Sequence, residues 1–213
     1  MLCLIYSIGT VCAVDFDDSS KITDDNSTQM GVDDVGKLGV SNGDTKLLES
    51  EEFYGNHFYQ LNDAISSLNS GDTLILKNDV VQDGTNYIEI GQEKSGITID
   101  GENHVIDANN ISAILYVRAD SVILKNIKFI NANNADNVFS GAICVMGNNI
   151  VIQNCTFEDN TAVNGGGVYF RGSITGGRII DSIFIRNNAT GRTGSQTGMG
   201  GAIFQILKWG IQL

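Results

Sequence analysis

Proline is absent from the 213 residues, histidine occurs twice and tryptophan once. Bases are scarce as well: 13 Lys and Arg stand against 25 Asp and Glu, a formal charge of −12. Each shortage excludes a class of protein. Collagen needs proline together with glycine at every third position. The acid excess speaks against a cationic nucleic-acid binder, so no nucleic-acid partner is expected. No apolar run approaches the roughly 18 residues of a membrane-spanning helix. What is abundant is glycine, which occurs 25 times, with asparagine nearly as frequent. Many turns without proline suit a fold whose strands are hydrogen-bonded on both sides, because proline would remove a ladder donor there.

The acids are concentrated near the start. From Asp15 to Glu52 there are 11 acids and 3 bases, a local balance of −8, which leaves −4 for the rest. That segment is rich in Asp, Ser, Thr and Gly and cannot bury enough apolar surface to offset its ordering entropy. Residues 14–55 are therefore assigned to a disordered acidic leader. Residues 1–13 read as a signal peptide, apolar from Leu2 and ending in the small-residue pattern Val11-Cys12-Ala13. No basic residue precedes the apolar stretch, so its n-region is missing and the true start is expected upstream. A secreted or cell-surface location follows. Cys3 and Cys12 would leave with the signal. Cys144 and Cys155 sit at apolar-patterned positions and are expected in the core.

Downstream, the chain repeats. Val122–Phe129 (VILKNIKF) matches Ile150–Phe157 (IVIQNCTF) position by position, and a third copy ending Ile179–Phe184 follows at nearly the same interval. A second phrase recurs as Ser140–Ile143, Gly166–Tyr169 and Gly200–Ile203, with Gly191–Met199 inserted before the last. Ile97–Asp100 and Val105–Ile106 form a more divergent copy, and Thr73–Leu76 precedes it. Short apolar strands separated by Gly/Asn corners, with no helical period between, suit one coil of a parallel β-helix. Like positions then stack about 4.8 Å apart. The expected fold is all-β: a right-handed parallel β-helix of about five coils over residues 73–205.

Stacking makes the columns explicit. Leu124, Ile152 and Ile179 form one inward column, and Ile127, Cys155 and Ser182 a smaller one. Phe129, Phe157 and Phe184 form an aromatic ladder. Asn126, Asn154 and Asp181 stack at a corner, where asparagine tolerates left-handed backbone and its amide can bond to neighbouring coils. Asp159 falls against Arg186, and Asp100 against Lys125, as exposed cross-coil pairs. Before the first coil, Phe58, Leu61, Ile65 and Leu68 lie on one face of a short helix, and residues 56–72 are assigned as an N-terminal cap. After Phe204 the pattern dissolves. Residues 206–213 read as an irregular, truncated end, and the chain is expected to be a piece of a longer array that continues into further repeats.

These phrases carry a family resemblance. Gly200-Gly-Ala-Ile203 is a GGAI motif, and Phe157-Glu-Asp-Asn160 and Phe184-Ile-Arg-Asn187 are FxxN motifs. Together they resemble the repeats of chlamydial polymorphic membrane proteins. More closely, residues 56–205 resemble the adhesin-like surface proteins of methanogenic archaea, which share the order of signal peptide, acidic leader, a stretch like Phe58…Asp72-Thr-Leu-Ile75 and a phrase like Ile97-Thr-Ile-Asp-Gly101…His104-Val-Ile-Asp107. Departures are Phe129-Ile-Asn-Ala132, which breaks FxxN, and Gly167-Val-Tyr169 in place of GAI. The resemblance implies a pectin-lyase-like solenoid outside the cell that attaches to a glycan or a cell-surface protein.

Enzymes share this architecture, so polysaccharide lyase and glycoside hydrolase are the alternatives, beside a truncated non-functional gene product. Lyases need carboxylates converging on Ca²⁺ with a base; hydrolases need a tight acid pair. Here the outward acids Asp107, Glu158, Asp159 and Asp181 are scattered. His57 and His104 stand in loops without a partner motif. The glycines of 191–201 lack Gly-Lys-Ser/Thr and open no helix, so they form no phosphate loop; the insertion is instead a candidate binding epitope. No catalytic, metal or cofactor site is assigned. Among four sequons, Asn26 and Asn188 are the candidate glycosylation acceptors.

Overall fold

The structure, a computed structural model, describes residues 48–84, 86–134, 141–191 and 198–205. The signal peptide, Asn26, most of the leader, residues 192–197 of the insertion and residues 206–213 lie outside the described residues.

The fold is a parallel β-solenoid of five coils. Strand β1 (Ser50–Phe53) and helix α1 (Phe58–Ser67) come first. The first coil holds β2 (Thr73–Leu76), β3 (Val80–Val81) and β4 (Ile88–Ile90), and the second β5 (Thr98–Asp100), β6 (Val105–Asp107) and β7 (Leu115–Val117). The third comprises β8 (Ile123–Lys125), β9 (Lys128–Ile130), β10 (Asn133–Asn134) and β11 (Ile143–Val145). The fourth comprises β12 (Val151–Gln153), β13 (Thr156–Glu158), β14 (Thr161–Ala162) and β15 (Val168–Phe170). The fifth comprises β16 (Arg178–Ile180), β17 (Ile183–Ile185), β18 (Asn188–Ala189) and β19 (Ile203–Gln205). Face A stacks β1-β2-β5-β8-β12-β16, face B β3-β6-β9-β13-β17, face C β4-β7-β11-β15-β19, and a short ladder stacks β10-β14-β18, every pair parallel.

A three-residue strand puts one side chain inward and two outward on faces A and B, since side chains alternate. The inward residues are apolar. Leu124, Ile152 and Ile179 are in register, as are Phe129, Phe157 and Phe184. Stacking them in one axial core removes most from water, which is the main gain in free energy. In the fifth coil the cover thins: Ile179 and Phe184 are only partly buried, and Ile183 and Ile203 are 57% and 40% exposed.

Face C corrects one alignment. Ile143 pairs with Val168, which in turn pairs with Ile203, so Gly165–Val168, not Gly166–Tyr169, is the fourth-coil counterpart of Ser140–Ile143. The shift is a single position, and such a slip exchanges inward and outward faces. Val168 points into the core, while Tyr169 joins Tyr116 and Cys144 outside it.

The leader assignment is also corrected at its end. Residues 50–53, placed by composition in the acidic leader, form β1, which pairs with β2 from Ser50↔Thr73 to Phe53↔Leu76. Without β1, the first edge of face A would carry unpaired N–H and C=O groups. Phe53 enters the core, and the buried Asp72 carboxylate accepts the Glu49 and Asn69 N–H groups. A single parallel bridge, His57 to Val81, continues the path onto face B. Helix α1 then packs over β3 and β4. Its start is closed by Gln60, whose Oε1 accepts the N–H groups of Asn56 and His57, and its stripe Phe58, Leu61 and Ile65 is buried. Strand, bridge and helix thus trace a partial turn above the first coil.

Candidate functional site

The corners account for the recurring asparagines. Between faces A and B the chain turns through Asn126, Asn154 and Asp181, with φ of 55°, 50° and 48°. Between face B and the short ladder it turns through Asn131, Asp159 and Arg186, with φ of 54°, 55° and 51°. Asparagine and aspartate tolerate this left-handed region better than other side chains; Arg186 is held there by its carboxylate partners. At the A/B corner Asn154 Nδ2 donates to Asn126 Oδ1 at 2.8 Å, and Asn126 Nδ2 donates to Asp100 Oδ1 at 2.9 Å. The side-chain ladder therefore runs from Asn154 to Asn126 to Asp100; Asp181 shares its backbone turn only. Burial alone would raise the Asp100 pKa. Hydrogen bonds from Asn126 and the Glu102 N–H, with Lys125 Nζ at 3.0 Å, outweigh it and hold the carboxyl below its ordinary range.

A second amide ladder runs inside, formed by the last residue of FxxN. Buried Asn160 accepts the Ala132 N–H at 2.9 Å and donates to the Phe129 carbonyl at 3.1 Å. Asn187 repeats this one coil on, accepting from the Asn160 N–H and amide and donating to the Phe157 carbonyl at 2.8 Å. Sequence reasoning found the motif without its role. The signal was the fixed spacing from each ladder phenylalanine, and the loss of this asparagine at Ala132 in the third coil.

The phenylalanine rings stack at centroid distances of 5.1 and 4.7 Å. Cys155 is buried in the same core, and burial pushes its thiol up to about 11. Outside face C, Glu89, Tyr116, Cys144, Tyr169 and Phe204 lie in one register. Tyr116, Cys144 and Tyr169 are buried there as a satellite cluster, and burial pushes the Tyr116 phenol up to about 12.

Charged groups are paired across coils. Arg186 reaches Asp159 at 2.7 Å and also Glu158, which Lys128 contacts from the other side. Arg118 binds Glu89 at 2.7 Å. Both histidines, read from the sequence as loop residues without partners, face an aspartate near β3: His104 Nδ1 lies 3.0 Å from Asp79, and His57 Nδ1 3.6 Å from Asp83. Each pair is a full coil apart along the chain and adjacent only after coiling. The Val105 N–H and His104 lower the Asp79 pKa; Lys128 and Arg186 lower that of Glu158, and Arg186 that of Asp159. A carboxylate so held accepts hydrogen bonds and is a poor proton donor.

Asn188 is exposed at β18. The described ends of the 191–199 insertion are anchored, since the Gly198 and Met199 N–H groups donate to Asn164 Oδ1 at 3.0 and 3.2 Å. One surface groove, of about 180 Å³, follows the A/B corner past Asn103, Asn126, Lys128, Asn154 and Thr156. Among the described residues no helix is long and apolar enough to cross a membrane.

No family model matches the chain, and no curated protein or solved structure matches it.

Proposed function

We propose that the chain is a non-enzymatic, adhesin-like solenoid, secreted or displayed at a cell surface, that attaches to cells or glycans through its repetitive flanks. The observation that carries this reading is the use made of the outward carboxylates. Asp79, Asp100, Glu158 and Asp159 are each tied to a group one coil away and each shifted toward the ionised form. That is the reverse of what a general acid requires. They fasten coil to coil and leave broad faces of amides, hydroxyls and paired charges, which suit many weak contacts repeated along an axis. The GGAI and FxxN phrases, with their resemblance to archaeal adhesin-like proteins, support the same reading, and the apolar segment before Ala13 supports export.

Incubating the chain with polygalacturonate, with and without Ca²⁺, and in parallel with intact cells and immobilised glycans tests it. Retention on cells or glycans without product formation is the expected result. Turnover of the polysaccharide would establish the lyase or hydrolase reading instead.

A further inference from the structure

Between α1 and the loop entering β4 lies a cleft of about 160 Å³, lined by Phe58, Tyr59, Asn62, Asp63, Asn86 and Tyr87. Its composition differs from that of the corner groove. Tyr59 is 47% exposed and Tyr87 36% exposed, so two aromatic rings from different elements meet solvent at one opening. Both are braced. Tyr87 stacks on buried Tyr116 at 3.9 Å, and Tyr59 stacks on His57 at 5.9 Å with an interplanar angle of 11°. Phe58 closes the floor and is fully buried.

The polar groups of the cleft are planar. Asn62 is oriented by the Glu89 N–H, which donates to its Oδ1 at 3.1 Å, and its Nδ2 remains to donate. Asp63 and Asn86 stand exposed at the rim, outside the cross-coil pairings described above. Tyr59 and Asp63 lie one turn apart on α1 and so share a helix face.

We infer that this cleft is a saccharide-binding site for an uncharged pyranose unit. The C–H face of a pyranose ring is apolar and matches an exposed tyrosine face, which offers a large contact area at low conformational cost. Its vicinal hydroxyls each donate and accept, and a carboxylate or primary amide presents two atoms to such a pair. Asp63 at the rim and the chain's formal charge of −12 disfavour uronates, sialosides and phosphates. The inference deepens the adhesive reading and rests on it: the cleft at the cap end would add one defined sugar site to the weak contacts repeated along the flanks.

The test uses the full chain on an array of neutral hexose and N-acetylhexosamine oligosaccharides beside uronate-containing ones. The best hit is then titrated calorimetrically against Tyr59→Ala, Asp63→Asn and, as reference, Arg178→Ala on exposed face A. The expected result is binding to a neutral oligosaccharide, weakened about tenfold or more by Tyr59→Ala and by Asp63→Asn, unchanged by Arg178→Ala, with equal melting temperatures. Neutral-sugar binding indifferent to both cleft variants would overturn the site and leave the adhesive reading standing. Attachment to cells or to proteins without binding any neutral saccharide would overturn the ligand class, again leaving adhesion. Failure to attach to anything would remove both.

Discussion

Truncating Asn160 to alanine would strand the Ala132 N–H of the coil before it and remove a second bond to the Phe129 carbonyl, both in the interior. Leaving a buried polar group unsatisfied costs about 1–3 kcal/mol, so Asn160→Ala should lower stability by about 1–3 kcal/mol in urea titrations, while the exposed Asn188→Ala should change little. A second expectation concerns pH. The folded Asp100 pKa lies below the unfolded one, so as pH falls the unfolded chain binds the proton first and the native state loses its advantage. The contribution is complete above about pH 5 and disappears as pH drops through the depressed value, below about pH 4. The stability gap between the protein and Asp100→Asn should therefore narrow on acidification; a gap constant from about pH 7 to about pH 3 would show that the carboxylate is not held this way. At this scale the sequence was legible where a column repeats a residue type. Asn126 and Asn154 announce a corner, and the three phenylalanines a ladder. It was opaque where two different residues meet across a coil, as His104 and Asp79 do, because nothing in either local segment names the other.

Helix α1 and strand β1 precede the first coil and are not generated by the repeat, and they differed in legibility for a physical reason. The helix carries its evidence internally, in the stripe Phe58, Leu61, Ile65 and Leu68. Strand β1 is Ser-Glu-Glu-Phe, with one apolar residue, and is stabilised by the edge it completes rather than by its own pattern. The slip at β15 has a similar origin: three consecutive glycines, Gly165 to Gly167, offer two equivalent registers, and only the demand for Val168 in the core chooses between them. The cap is predicted to matter energetically. Leu61 is fully buried, and Leu61→Ala should cost about 2–5 kcal/mol. Asp63→Asn on the same helix should be neutral, and calorimetric melting of the two variants separates packing from binding on a single element.

In a solenoid each coil touches only its neighbours, so stability is a sum of local terms and varies along the axis. Burial predicts the profile. The cores of coils three and four are closed on both sides, whereas Ile179 and Phe184 of coil five are only partly covered. Amide hydrogen exchange should be slowest at Leu124, Phe129, Ile152 and Phe157 and markedly faster at Ile179 and Phe184; uniform protection from coil three to coil five would contradict this order. The inner asparagines add a direction to the series. Asn160 of coil four completes the hydrogen bonds of coil three, and Asn187 of coil five completes those of coil four. The Asn160 amide also donates forward to Asn187 Oδ1, so coil four is tied to coil five through the later asparagine as well. A chain that folds from its amino end must therefore hold its newest coil provisionally until the next one arrives to lock it. Assembly from that end becomes a ratchet with a one-coil lag, each coil gaining its last internal hydrogen bonds only from its successor.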